Sequence, residues 1–242
     1  MEKKLEQKLV YVSIFAIAMG LLEAIVVVYL REIYYPNGFD FPLAITSPRI
    51  FLAELSREAC TLIMLLSIAL LASQNPLQRF AYFLFSFAVW DLVYYLGLKI
   101  FLNWPSSLLT WDVLFLIPIT WVGPVLAPVI CSLTMIIYAM TIFHVQSKKP
   151  DFYLQFSEWF FLLSGAALIF IAFISDYLKI ILTHSSLPEL FSLSENQFIL
   201  NLISTHIPTY FNWPLFGLGL IIIYFSLFLF VQRSLGRNLN PS

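Results

Sequence analysis

The sequence predicts an all-α polytopic membrane helix bundle. It has six transmembrane helices, both termini in the cytoplasm, and one or two short interfacial or re-entrant helices on the outer side. Three observations carry this. Apolar residues make up 60% of the 242 and charged residues 11%, where a soluble domain is about half apolar and a quarter charged. Mean hydropathy is +0.87. The apolar runs are continuous rather than alternating, which disfavours a β-barrel. A soluble globular domain, a disordered chain and a coiled coil are excluded. Nucleic acid is an unsuitable partner, because 13 Lys+Arg nearly cancel 14 Asp+Glu and no basic stripe exists. One integral membrane domain over 1–242 is expected, with the lipid bilayer as its surroundings.

A helix needs about 20 mostly apolar residues to cross the hydrocarbon layer. Six segments qualify, at about 9–30, 50–72, 80–102, 121–143, 156–181 and 213–231. The first follows a short stretch carrying Lys3, Lys4 and Lys8. Its hydrophobicity continues past the length of a signal peptide's apolar core, so it is expected to remain as a span. The second carries Glu54, Arg57 and Glu58 in its first third, and the third is interrupted by Asp91 and Lys99. Gly123, Pro124 and Pro128 punctuate the fourth, as a broken helix would require. Asp176 lies near the end of the fifth, where Lys179 is close enough to pair with it.

Orientation follows from the positive-inside rule. With the N-terminus in the cytoplasm, the inner segments hold Lys3, Lys4, Lys8, Arg79, Lys148, Lys149, Arg233 and Arg237, while the outer loops hold Arg31 and Arg49. An even number of spans returns the C-terminus to the same side. Short loops and a short basic N-terminus fit a bacterial plasma membrane.

Two outer segments are too short or too polar to span. The first, 108–120, is apolar and rich in proline downstream. It is expected to form a re-entrant or interfacial helix, capped by Thr110 or Asp112. The second, 187–208, reads as an amphipathic outer helix bounded by Pro188 and Pro208. The tripeptide Asn-Trp-Pro occurs at 103–105 and again at 212–214. Each copy is expected to precede a helix, with Trp at the membrane interface and Pro in a first turn.

Ionisable groups inside spans are costly, by about 2.5–3.5 kcal/mol each on insertion scales, and so carry information. Glu23, Glu54, Arg57, Glu58 and Asp91 all fall in the outer half of the layer or near its middle. If all ionise, they sum to −3. Low dielectric forbids that unless carboxyl groups are protonated or a cation sits among them. Helical spacing puts Asp91, Tyr94 and Tyr95 toward one face of the third span, and Glu23, Val27, Arg31 and Tyr34 on one face of the first. Arg57 is three residues from Glu54 and pairs with it. Tyr34, Tyr35, Tyr94 and Tyr95 are donors for these carboxylates. Trp90, Trp104, Trp111 and Trp121 are candidates to roof the pocket, and Asp112 sits beside Trp111. The expected binding residues are thus Glu23, Glu54, Arg57, Glu58, Asp91, Tyr94, Tyr95, Trp111 and Asp112. The plainer alternative is that these groups only join helices, with Arg31, Arg49 and Lys99 reaching down to neutralise carboxylates.

No nucleophile elbow, phosphate loop or metal-ligand spacing occurs, and no catalytic residue or metal ligand is assigned. Cys60 and Cys131 read as core residues, and His144, His184 and His206 as exposed loop or helix-end residues, so haem is not expected. A bound cation is the cofactor that the acidic layer suggests. Three functional readings follow. The leading one is transport, with the pocket binding protons, a cation or a small substrate. The second is an intramembrane enzyme acting on a lipid or isoprenoid head group, with Arg57 holding a phosphate. The third is an accessory subunit of a larger membrane complex. A homodimer or a partner membrane subunit is the expected assembly.

Overall fold

The computed structural model describes residues 2–44, 47–184 and 205–236. The elements in order are α1 (Glu2–Tyr34), α2 (Pro48–Ala72), α3 (Pro76–Leu102), β1 (Trp111–Phe115), β2 (Trp121–Pro124), α4 (Leu126–Lys148), α5 (Phe156–His184) and α6 (Trp213–Gly236). Among the described residues, six helices are long and apolar enough to cross a membrane. They match the six expected segments and extend most of them by several residues. The helices alternate in direction, so the β-strands, the end of α1 and the start of α2 share one end of the bundle, called here the hairpin end. The opposite end holds the start of α1 and the end of α6.

Helix starts follow local chemistry. The Asn75 side chain accepts from the Leu77 and Gln78 amides, and Pro76 occupies the first turn of α3, where its missing N–H costs nothing. Glu158 accepts from the Gln155 amide at 2.7 Å, closing the first turn of α5. The two Asn-Trp-Pro copies act oppositely. Asn212 accepts from the Leu215 amide and starts α6. Asn103 ends α3, with φ at +52°, the left-handed conformation that asparagine tolerates. The first copy therefore follows a helix rather than preceding one.

Where the sequence predicts a short helix over 108–120, the structure has an antiparallel hairpin. Trp111 pairs with Pro124, Asp112 with Gly123, Val113 with Val122 and Phe115 with Trp121, with a bulge at the step between Val113 and Phe115. Asp112 is therefore a strand residue and caps no helix. Gly123 and Pro124 belong to β2 rather than to a broken helix, and the fourth span starts at Leu126 instead of 121. Both faces of the hairpin are covered by protein, so its residues are apolar on both sides and show no strand alternation. Its ends are tied by Val125 N donating to Thr110 O (3.0 Å) and Leu126 N donating to Leu108 O (2.7 Å). Most of the amphipathic helix expected over 187–208 lies outside the described residues.

Small residues set the helix crossings. A Cβ on Gly20 would lie 2.5 Å from the Trp90 carbonyl, and one on Gly97 would lie 2.6 Å from Ala24 Cβ, so α1 and α3 touch almost backbone to backbone. Gly165 and Gly219 do the same for α5 and α6, where an added Cβ on Gly165 would meet Gly219 O at 2.6 Å. The apolar core runs between α3, α4, α5 and α6 around Tyr82, Tyr138, Phe143, Phe216 and Phe230. Near the opposite end from the hairpin, Arg233 clasps the buried Glu158 with two 2.8 Å contacts.

Candidate functional site

A cavity of about 990 Å³ lies between the helices and the hairpin. Its hairpin end is polar. Glu23, Arg31, Glu54, Arg57, Glu58, Asp91, Tyr94, Tyr95 and Asp112 all line it, from α1, α2, α3 and β1. Toward the other end the lining turns apolar, with Leu84, Met135, Leu162, Ala166 and Ile223. From Tyr95 down to Phe80, both lining residues of α3, the drop is about 22 Å at the helical rise.

Two ion-paired groups organise the polar end. In the first, Arg31 Nη2 donates to Asp112 Oδ1 at 2.9 Å. Arg31 is 6% exposed and Asp112 1%. The guanidinium also sits in the corner between the perpendicular rings of Trp104 (3.7 Å) and Phe39 (4.3 Å), which compensates part of its lost hydration. Arg31, expected in an outer loop, is thus a buried group in the last turn of α1. Burial pushes the Asp112 carboxyl above the usual range, against the pull of the Arg31 guanidinium and the Val113 amide. In the second group, Arg57 bridges two acids. It meets Glu54 Oε2 through Nε (2.9 Å) and Nη2 (2.8 Å), and its Nη1 contacts Glu23 Oε1. Thr61 donates to the other oxygen of Glu23 at 3.2 Å.

Two further carboxylates have separate duties. Glu58 accepts from the Leu116 amide through both oxygens, at 3.0 and 2.9 Å, so α2 grips the tip of the hairpin. Asp91, 8% exposed, accepts from Ser132 on α4 at 2.7 Å. Trp90 stacks on Tyr94, and Tyr94 meets Tyr95 edge-on. Buried polar atoms at this end that complete no well-formed hydrogen bond include Trp104 Nε1, Arg31 Nη1, Trp90 Nε1, Tyr95 OH and Asp112 Oδ2. The last two lie close to each other. Buried polar atoms usually find partners, so their grouping around one cavity is informative.

Of the expected binding residues, Trp111 alone does not line the cavity. Its ring packs edge-on against Phe211 instead. Trp90 and Trp121 do line the cavity, and Trp104 covers Arg31 instead. Two local contacts also differ from expectation. Asp176 contacts His206 at 2.6 Å, which makes that histidine part-buried rather than an exposed loop residue. Lys99 turns back to the Asn103 and Pro105 carbonyls at the end of α3 instead of reaching the carboxylates. Cys131 lines the cavity. Sequence reading missed Ser132, Thr61 and the hairpin amides as partners, because each contact joins positions 38 to 58 residues apart. Among the described residues, no group of three or more His, Cys, Asp or Glu is arranged to hold a metal ion.

Comparison with protein-family models, with curated proteins and with solved structures finds no match for this chain. The six membrane-length helices make it compatible with a multi-pass membrane protein.

Proposed function

We propose that this protein binds a long-chain amphiphile inside the membrane and acts on its head group by acid–base chemistry. One observation carries this reading. A single cavity is charged and aromatic at the hairpin end and mainly apolar for the rest of its length. That polarity gradient matches a lipid standing along the bilayer normal. Its head group would lie among Arg31, Asp112, Tyr95 and Asp91, and its chain would run between α3, α4 and α5. Asp91 is the favoured proton-transfer group, since it is buried, faces the junction of the two zones and has Ser132 to hold it in place. The distribution of Lys and Arg supports a hairpin on the outer face and both termini in the cytoplasm, in a bacterial plasma membrane.

The transport reading has less support. Below Asp91 the cavity lining is mainly apolar, with the Thr134 and Tyr138 hydroxyls paired to α6. At the far end Glu158 and Arg233 satisfy each other, and among the described residues no acidic or basic side chain lines the cavity below Asp91. A phosphate on Arg57 is also disfavoured, because Glu23 and Glu54 already occupy that guanidinium.

The test is to incubate purified protein with a membrane lipid extract and follow bound species by mass spectrometry. Wild type is expected to retain and alter a long-chain species. Asp91→Asn is expected to retain the same species unaltered, and Ala166→Trp, which fills the apolar zone, to retain none. If no long-chain species binds and liposomes instead show an Asp91-dependent proton flux, the protein is a transporter.

A further inference from the structure

We infer that the polar end of the cavity takes an uncharged, hydroxyl-bearing head group rather than a phosphate or an amine. This rests on the reading that the cavity holds a long-chain amphiphile, and it names the class of that ligand.

The charge pattern excludes the phosphate. Five carboxyl groups and two guanidinium groups line the polar end, a formal charge of −3. Each guanidinium already has its carboxylates: Arg31 has Asp112, and Arg57 has Glu54 and Glu23. A phosphate would add roughly 1.5 to 2 negative charges to a site with no free cation to receive them. In a low-dielectric site that repulsion is large.

The unpartnered atoms choose between the remaining heads. Arg31 Nη1 and Trp90 Nε1 are donors that need an acceptor, whereas Asp112 Oδ2 has the neighbouring Tyr95 hydroxyl as a donor. Their residues are all more than nine-tenths buried and line the cavity. A hydroxyl offers these two N–H groups an uncharged acceptor oxygen. An ammonium only donates, which would leave the Arg31 and Trp90 N–H groups unanswered and set a second cation beside Arg31. A phosphate has acceptors in plenty but meets the surrounding carboxylates. The stacked rings of Trp90 and Tyr94 provide a flat wall next to these atoms.

The experiment uses the full chain in lipid nanodiscs, with Cys60→Ser so that Cys131 is the thiol that remains. Cys131 lines the cavity, so its labelling by a small uncharged maleimide reports occupancy. Four probes share one hydrocarbon chain: the alcohol, its phosphate monoester, its primary amine and the parent alkane. The alcohol is expected to protect Cys131 at a concentration about tenfold below the other three. Trp90→Phe removes the indole N–H and leaves an aromatic ring in its place. It is expected to raise the alcohol midpoint about fivefold and to shift the alkane midpoint by much less. Phosphate or amine protecting as well as the alcohol would overturn the head-group assignment and leave the amphiphile reading standing. So would equal protection by alcohol and alkane. If none of the four protects Cys131, the amphiphile reading itself falls, and the assignment with it.

Discussion

Arg31 and Asp112 are 81 residues apart, and their contact joins the end of α1 to the first strand. Removing a charge from water costs several kcal/mol, and a buried pair recovers this only with good geometry and further contacts. Here Trp104 and Phe39 on the guanidinium supply them. The cost of breaking the pair is then asymmetric. Arg31→Leu leaves the Asp112 carboxylate buried and uncompensated, and is expected to lower stability by about 3–5 kcal/mol. Arg31→Leu combined with Asp112→Leu is expected to recover most of that. Chemical denaturation of the two variants in detergent checks this. A single variant as stable as wild type would mean that the pair does not anchor the hairpin.

At the scale of elements, the fold depends on where helices come closest. The Gly165–Gly219 crossing leaves no room for a side chain, since an added Cβ on either glycine would lie within 2.8 Å of the other's backbone carbonyl, which cannot turn aside. Gly165→Leu is expected to cost at least 1–3 kcal/mol by overpacking and to separate α6 from α5. Gly217 is the control. It lies in the same helix, and nothing comes within 4 Å of an added Cβ, so Gly217→Ala is expected to stabilise by about 0.5–1 kcal/mol through helix propensity. Thermal unfolding of both variants reads the contrast, and equal effects would show that the close crossing carries no energetic weight. The hairpin depends on other elements in a different way. It borrows Glu58 from α2 for its tip and Arg31 from α1 for its base, so it is held by helices rather than by its own few ladder bonds.

At the scale of the molecule, the proposed orientation makes a direct prediction. In a background of Cys60→Ser and Cys131→Ser, a membrane-impermeant thiol reagent added to intact cells is expected to label Ser107→Cys, on the hairpin side of α3. Ser147→Cys, at the opposite end of α4, is expected to react only after lysis. The reverse pattern would put the hairpin in the cytoplasm and turn the polar end of the cavity inward. Both engineered positions lie outside the cavity lining, so the result does not depend on occupancy.

The amino-acid sequence alone determined the number of spans and their places along the chain. Crossing a bilayer is a requirement on about 20 consecutive residues, and hydropathy sums over such stretches. It also determined that ionisable groups gather toward one end, since depth along a helix is simple arithmetic in residue number. Tertiary structure decided the rest. Segment 108–120 reads as a helix from its composition, because a strand covered on both faces carries no alternating pattern. Its actual form depends on Glu58 and Arg31, which come from two other helices. Whether Arg57 holds a ligand or is itself held was equally out of reach, since its second acid, Glu23, lies on a different helix. The apolar zone below the charged layer is formed by side chains from several helices. It was out of reach as well, because cavities are properties of packing between segments and leave no mark on any one of them.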